Sequence, residues 1–271
     1  MIAIGNVSFR PLIEDMTWSY SRVSSFDTCN YAWFLKYIKH MKETPQFFSS
    51  YGSFVHKLLE QFYNGELTKE QLPAKFLFDF KKEVQGERPK ESIVEKYIQR
   101  GLEYFNTFTP LPYKIIAVEK KVEFEIDGIS FVGYIDYLGE EDNELVVVDN
   151  KSRDLKPRSR RKEPTENDLL IDKMLRQLYL YSKGVQQEYG RFPKKLCFNC
   201  FKAGTFIEEP FNMAAYNEAI NWAKTHIEEI ANTTDFPPNI DFFNCKHLCG
   251  FGQECCYWDN GKYLWKNKKT K

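Results

Sequence analysis

Phe131-Val-Gly-Tyr-Ile-Asp136-Tyr-Leu138, an acidic turn from Glu140 to Glu144, then Leu145-Val-Val-Val-Asp149-Asn150-Lys151: this stretch decides the fold. Two apolar, β-branched runs parted by a polar turn predict neighbouring strands of a hairpin. Side chains alternate along a strand, so Asp149 and Lys151 share one face. A carboxylate, a second carboxylate on the adjacent strand and a lysine beside it predict a compact divalent-metal site.

The residue types suit hydrolysis of a phosphodiester. Mg²⁺ and Mn²⁺ prefer oxygen ligands, and one or two carboxylates suffice when substrate phosphate completes the shell. Bound metal acidifies a water and offsets charge on the phosphate. An ammonium alongside orients that water and faces the growing negative charge. Alone, the D-x-K triplet is commonplace, and its ordinary meaning is a solvated strand end with a weak ion pair.

The triplet has company. Upstream, Gly52-Ser-Phe-Val-His56-Lys-Leu-Leu-Glu60-Gln-Phe-Tyr63 has apolar residues at helical spacing, with Gly52, His56 and Glu60 on one side. Downstream, Arg176-Gln177-Leu-Tyr-Leu-Tyr181 is also helical, with Gln177 and Tyr181 one turn apart. In order and spacing these segments resemble the RecB-like, AddB-like branch of the PD-(D/E)xK nuclease superfamily. That branch carries a G-x-x-x-H-x-x-L-E helix, a G-x-x-D strand, a D/E-x-K strand and a Q-x-x-x-Y helix. The matching segments here are Gly52 to Glu60, Gly133 to Asp136, Asp149 to Lys151, and Gln177 to Tyr181, and the resemblance spans residues 18 to 260.

The resemblance implies His56, Asp136, Asp149 and the backbone carbonyl of Asn150 as metal ligands for Mg²⁺ or Mn²⁺. It implies Asp136, Asp149 and Lys151 as the catalytic set, with Gln177 and Tyr181 contacting DNA or the metal shell. Read by themselves, His56 is a core histidine, and Gln177 and Tyr181 are a helix face packed on the sheet. Glu119 lies in a strand of ordinary alternation and is left out of the set.

Seven cysteines give a second clue: Cys29, Cys197, Cys200, Cys245, Cys249, Cys255 and Cys256. Neither a signal peptide nor a long apolar span is evident, so a reducing compartment and free thiols are expected. Cys245, Cys249 and the pair Cys255-Cys256 crowd into the last part of the chain. Three of these thiolates and a remote fourth would suit zinc or a four-iron cluster. The stretch from Ser24 to Tyr37, containing Cys29, resembles the start of the iron–sulfur subgroup of the same nucleases. This resemblance implies a [4Fe–4S] cluster on Cys29, Cys245, Cys249 and Cys255 or Cys256, with Zn²⁺ as the alternative. The first gap here is three residues where the subgroup usually has two. Cys197 and Cys200, three apart in an apolar run, point to opposite strand faces and belong to the core.

Net charge is zero, with 38 basic and 38 acidic residues, which by itself predicts no affinity for nucleic acid. From Lys151 to Lys162, however, seven basic residues face Asp154 alone. The proline-bearing run is expected to be a mobile loop beside the metals, with Arg153, Lys156, Arg158, Arg160, Arg161 and Lys162 as DNA contacts. Lys262, Lys266, Lys268, Lys269 and Lys271 are expected to be a frayed basic tail. The 23 Phe, 16 Tyr and 5 Trp belong mainly to the core, with some available to stack unpaired bases.

The spacing predicts helices over 21–40, 52–64, 68–84 and 91–108, then strands over 113–126, 129–138 and 144–151. A helix over 166–189, strands over 194–202 and 205–209 and a helix over 213–231 complete the order. The expected fold is α/β, a restriction-endonuclease-like core of mixed sheet flanked by helices. A helical N-terminal region (1–110), the nuclease core (111–232) and a cysteine-rich metal-cluster segment with basic tail (233–271) form one integrated domain. No phosphate-cradling G-x-x-x-x-G-K-[ST] motif occurs, so any motor would be a partner. The resemblance implies a Mg²⁺/Mn²⁺-dependent deoxyribonuclease, an exonuclease before an endonuclease, acting on single-stranded or free-ended DNA in recombination, repair or replication. The analogy is to stand-alone CRISPR-adaptation exonucleases and phage relatives. It carries the expectations of a cytoplasmic setting in bacteria or phage-infected cells, a helicase or recombination partner, and no membrane. The alternative is a DNA-binding or assembly module with a vestigial nuclease site.

Overall fold

The computed structural model describes residues 9–259 together with 262 and 263. Its centre is a five-stranded mixed sheet in the order β1 (Lys114–Ile126), β2 (Ile129–Glu141), β3 (Glu144–Asn150), β4 (Lys195–Cys200) and β5 (Thr205–Pro210). The predicted hairpin is β2–β3, with Tyr137 opposite Val148 and Glu141 opposite Glu144. β4 runs parallel to β3, a pairing that needs a long crossover. That crossover contains α7 (Glu166–Tyr189). α7 starts on a reciprocal capping box between Thr165 and Asp168 and ends at Gly190 in the left-handed region.

β3 is apolar on both faces because helices cover both. Leu145 and Val147 pack with Leu178 of α7 and Ala223 of α8 (Met213–Asn232). Val146 and Val148 pack with Leu58 of α4 (Phe47–Tyr63), Phe76 of α5 (Leu72–Glu83) and Phe105 of α6 (Glu91–Asn106). Cys197 lies on the α4–α6 side and Cys200 on the α7–α8 side, both buried, as the spacing predicted. A short α1 (Arg10–Glu14) precedes Trp18, which pins the start of the chain to β2 through hydrogen bonds with Ser130 and Val132.

Two expectations are corrected. The helix predicted over 21–40 is two helices, α2 (Tyr20–Thr28) and α3 (Asn30–Tyr37), broken at Cys29, whose backbone is extended. Local helix preference is overridden there by tertiary placement of the thiol. The basic loop after β3 is anchored rather than free. Leu155 is fully buried, its carbonyl accepts from Thr205, Asn167 clamps the Lys156 backbone, and Asp168 accepts from the Ser159 amide.

The cysteine segment contains α9 (Phe242–His247) and a two-strand ribbon, β6 (Trp258–Asp259) with β7 (Lys262–Tyr263). Of the basic tail, Lys262 lies in that ribbon; Lys266, Lys268, Lys269 and Lys271 lie outside the described residues. Among the described residues no helix is long and apolar enough to cross a membrane.

Candidate active site

The site forms where β1 and β2 both break their alternation. Along β1, Val118 packs on the α4–α6 side, whereas Val122, Phe124 and Ile126 pack on the other. Along β2, Tyr137 packs on the α4–α6 side, whereas Phe131, Ile135 and Leu138 pack on the other. Regular pleating would keep each parity on one face. The reversal falls between the paired rungs Val118–Tyr137 and Lys120–Ile135, which puts Glu119 opposite Asp136. Glu119 has φ of 47°, a left-handed backbone that is costly for a residue with a side chain and that, inside a strand rather than a turn, marks stored strain of the kind found at functional sites.

Over this irregularity α4 lays His56. Its Nδ1 is 3.3 Å from Asp136 Oδ2, and donor atoms of His56, Glu119 and Asp136 all lie within 4.8 Å of one another. Glu119, excluded by sequence reasoning, therefore belongs to the compact donor group. Burial lowers the His56 pKa, so the imidazole is a neutral donor at physiological pH. Burial, then Asp136 and Glu60, pushes the Glu119 carboxyl up to about 7. Asp136 is also raised, first by burial and then by Asp149. Crowded, desolvated carboxylates beside a neutral imidazole are an arrangement that a cation relieves.

Asp149 and Lys151 stand together at the end of β3, with Asp149 Oδ2 2.6 Å from the Lys151 ammonium. Beyond that ion pair this buried oxygen has no partner. An under-used buried carboxylate oxygen fits a metal ligand, and an oxygen-rich set with one imidazole suits Mg²⁺ or Mn²⁺. Lys151 Nζ donates to Gln177 Oε1 at 2.8 Å, and Gln177 Nε2 donates to the Tyr181 hydroxyl at 3.2 Å. Burial opposes the charge on Lys151, yet Asp149, by charge and hydrogen bond, and then Asp136 hold its pKa above the usual lysine value. It is thus a fixed ammonium rather than a base.

Asn150 lies between the two centres. Its N–H donates to Asp136 Oδ2 at 2.6 Å. Its side-chain amide donates to the Tyr137 hydroxyl and its carbonyl oxygen accepts from Asn199. Gly52 meets only ordinary contact, with Ser152 Oγ 3.7 Å from where a Cβ would stand.

The basic loop divides. Arg153, Lys156, Arg160, Arg161 and Lys162 are exposed. Arg158 instead is taken by Asp172 at 2.6 Å and Glu209 at 2.7 Å, a fork that ties the loop to α7 and β5.

Cys29, Cys245, Cys249 and Cys255 line one cavity, with Ala32, Leu35 and other apolar neighbours. Burial pushes the Cys249 thiol up to about 11, and Cys29, Cys245 and Cys255 add to the shift. Four thiols lining one apolar-walled cavity are the ligand types that a soft-metal centre uses. Cys256 is turned away, its Sγ 3.4 Å from the Tyr31 hydroxyl.

No curated protein matches the chain. A solved structure from Eubacterium rectale, described as a "Putative exonuclease", is similar at a TM-score of 0.53 and 13% identity, over 88% of this chain and 89% of its own. A protein named SSO0001 aligns over 87% of this chain and 94% of its own at 14% identity, with a TM-score of only 0.30. Residues 17–256 match the PD-(D/E)XK nuclease superfamily. With the mixed sheet, the flanking helices and that match over most of its length, the chain belongs to the PD-(D/E)XK nuclease superfamily.

Proposed function

We propose that this nuclease is a Mg²⁺- or Mn²⁺-dependent deoxyribonuclease that trims single-stranded or free DNA ends. One observation carries the site: the donors of His56, Glu119 and Asp136 lie within 4.8 Å of one another, beside Asp149 and the Lys151 ammonium. His56, Glu119, Asp136, Asp149 and the Asn150 backbone carbonyl would hold the metal, which supplies Lewis acidity and an acidified water. Lys151 is held between Asp149 and Gln177, so its remaining proton directs toward the attacking water or a phosphate oxygen. Asp149 keeps that ammonium charged, and the Asn150 amide fixes the Asp136 carboxylate. Arg153, Lys156, Arg160, Arg161 and Lys162 supply exposed charge for the DNA backbone. End-dependence rests on analogy with the family's exonucleases and on the similar fold of the Eubacterium rectale protein.

We infer further that Cys29, Cys245, Cys249 and Cys255 hold a [4Fe–4S] cluster. It would join the start of α3 to the C-terminal segment as a structural clasp. Iron and sulfide in stoichiometric amounts in anaerobically purified protein are expected. Zinc without iron would replace the cluster by a zinc clasp.

The activity is tested with wild type and Lys151→Ala on end-labelled linear and closed circular single-stranded DNA, in Mg²⁺, Mn²⁺ or EDTA. Metal-dependent loss of linear DNA only, abolished by the substitution, is expected. Cutting of the circle would make the protein an endonuclease at the same site. Binding without cleavage in any metal would leave a DNA-binding module.

A further inference from the structure

The rim of the site carries a cation that no carboxylate neutralises. Arg176 precedes Gln177 in α7, and its guanidinium carbon lies 5.2 Å from the ring centroid of Trp222 in α8. Among the described residues it makes no hydrogen bond and no carboxylate ion pair. Arg158, Arg100 and Arg10, by contrast, are each taken by acidic side chains.

Tyr20 connects this cation to the metal site. Its ring centroid is 5.7 Å from that of Trp222, and its hydroxyl donates to the Lys173 carbonyl at 3.3 Å. The phenol is raised chiefly by burial, with Lys151 and Arg176 lowering it and Asp149 adding to the rise, and Arg176 itself adjoins Gln177, which accepts from Lys151 Nζ at 2.8 Å. On the other side His226 packs 5.0 Å from Trp222, with its Nε2 3.2 Å from Asp27 Oδ1. The indole is therefore fixed from both sides, and Asp27 bounds the positive rim.

A guanidinium resting on an indole keeps its charge and its forked donors. That fork matches two phosphate oxygens at once. Arg176 is only half-buried, so phosphate can reach it. Were it there for stability alone, a carboxylate partner of the kind that serves Arg158 would be expected.

Resting on the nuclease reading above, we propose that Arg176 grips a backbone phosphate flanking the one that is cleaved, with Trp222 as its positioning residue. The ligand class is the phosphodiester backbone of nucleic acid. The contact lies on the α7–α8 side of the site, opposite α4.

Full-length protein in EDTA, where cleavage does not run, is titrated with a short fluorescein-labelled oligothymidylate and followed by anisotropy across a salt series. Arg176→Ala should weaken binding about ten-fold at low salt and reduce the log–log salt slope by about 0.7, the value for one single-strand phosphate. Arg176→Lys should keep the slope while losing part of the affinity. Trp222→Phe should stay near wild type, whereas Trp222→Ala falls toward Arg176→Ala and adds nothing to it in the double variant. An unchanged slope in folded Arg176→Ala overturns the proposal, even if affinity drops, because the loss would then be one of packing. If that variant does not fold, neutral Arg176→Gln must show the same loss of slope, and a retained slope overturns the proposal equally. Failure of wild type itself to bind, in EDTA and again with Ca²⁺ in place of Mg²⁺, would overturn the nuclease reading as well, so the two failures are distinguishable.

Discussion

The ring of Tyr181 lies against the backbone of Gly133 so closely that a Cβ at 133 would stand 2.3 Å from Tyr181 Cε1. The glycine of one motif and the tyrosine of another are thus two halves of one contact. Tyr181 takes Gln177, and Gln177 takes Lys151, so the contact ends at the lysine proposed to act in catalysis. Gly133→Ala should push the ring out, cost about 1–3 kcal/mol by overpacking, and lower kcat more than ten-fold, roughly 1.4 kcal/mol in barrier height. Thermal denaturation and initial rates check it. Adding Tyr181→Ser should restore stability without restoring rate; recovery of both would show that the tyrosine does no more than fill space.

Glu119 predicts a pH signature of the metal-free protein. Its carboxyl is raised to about 7 by burial, then by Asp136 and Glu60. The folded state therefore holds a proton that the unfolded chain releases near pH 4.5, and stability falls as pH rises between those values. Glu119→Gln should remove that loss: in EDTA its melting temperature should exceed wild type at pH 8 and approach it at pH 5. Mg²⁺ should then raise the wild-type melting temperature more than the variant's, as expected of a ligand that binds only the folded state. Equal Mg²⁺ effects on both would remove Glu119 from the metal site.

Why Glu119 escaped the sequence is a matter of backbone. Its neighbours read as a regular strand, and nothing in Val118-Glu119-Lys120 announces a positive φ or a reversal of faces. The β3 run was legible because burial on both faces leaves Leu145 to Val148 continuously apolar, and α7 because Thr165 and Asp168 form a local capping box. The break at Cys29 was not, since the residues around it favour helix and only tertiary placement of the thiol extends the chain. Arg158 looked like a free phosphate contact because Glu209, one of its two partners, is 51 residues away. Local patterns carried the elements and most of the candidate site's residues, while long-range pairing redistributed the charges.

The cysteine centre predicts opposite behaviour of adjacent residues. Cys255 lines the cavity with Cys29, Cys245 and Cys249, whereas Cys256 is exposed and reaches Tyr31. With the proposed cluster on these four thiols, Cys255→Ser should lose iron and loosen the C-terminal segment, visible as early proteolysis after residue 232. Cys256→Ser should retain the iron. The reverse pattern would exchange their roles.

Behind the candidate metal donors runs a chain of buried and half-buried polar groups that ends at Asp136. Asn199 on β4 donates to Asn150 Oδ1 at 2.7 Å and shares a hydrogen bond with the Tyr104 hydroxyl at 2.9 Å. Its backbone carbonyl accepts from the Lys151 amide at 2.8 Å. Asn150 in turn donates from its side chain to Tyr137 and from its backbone to Asp136. Asn199→Leu keeps the backbone bond but leaves Asn150 and Tyr104 each short of a partner, at a cost of about 1–3 kcal/mol per unsatisfied group. Because Asn150 sets the Asp136 carboxylate, the loss should reach the metal: the Mg²⁺ concentration for half-maximal rate should rise several-fold, while the DNA concentration for half-maximal rate stays put. Asn199→Ser, which keeps a donor one bond nearer the backbone, should recover part of the Mg²⁺ dependence. A variant that is merely less stable, with its Mg²⁺ dependence unmoved, would confine the network to packing.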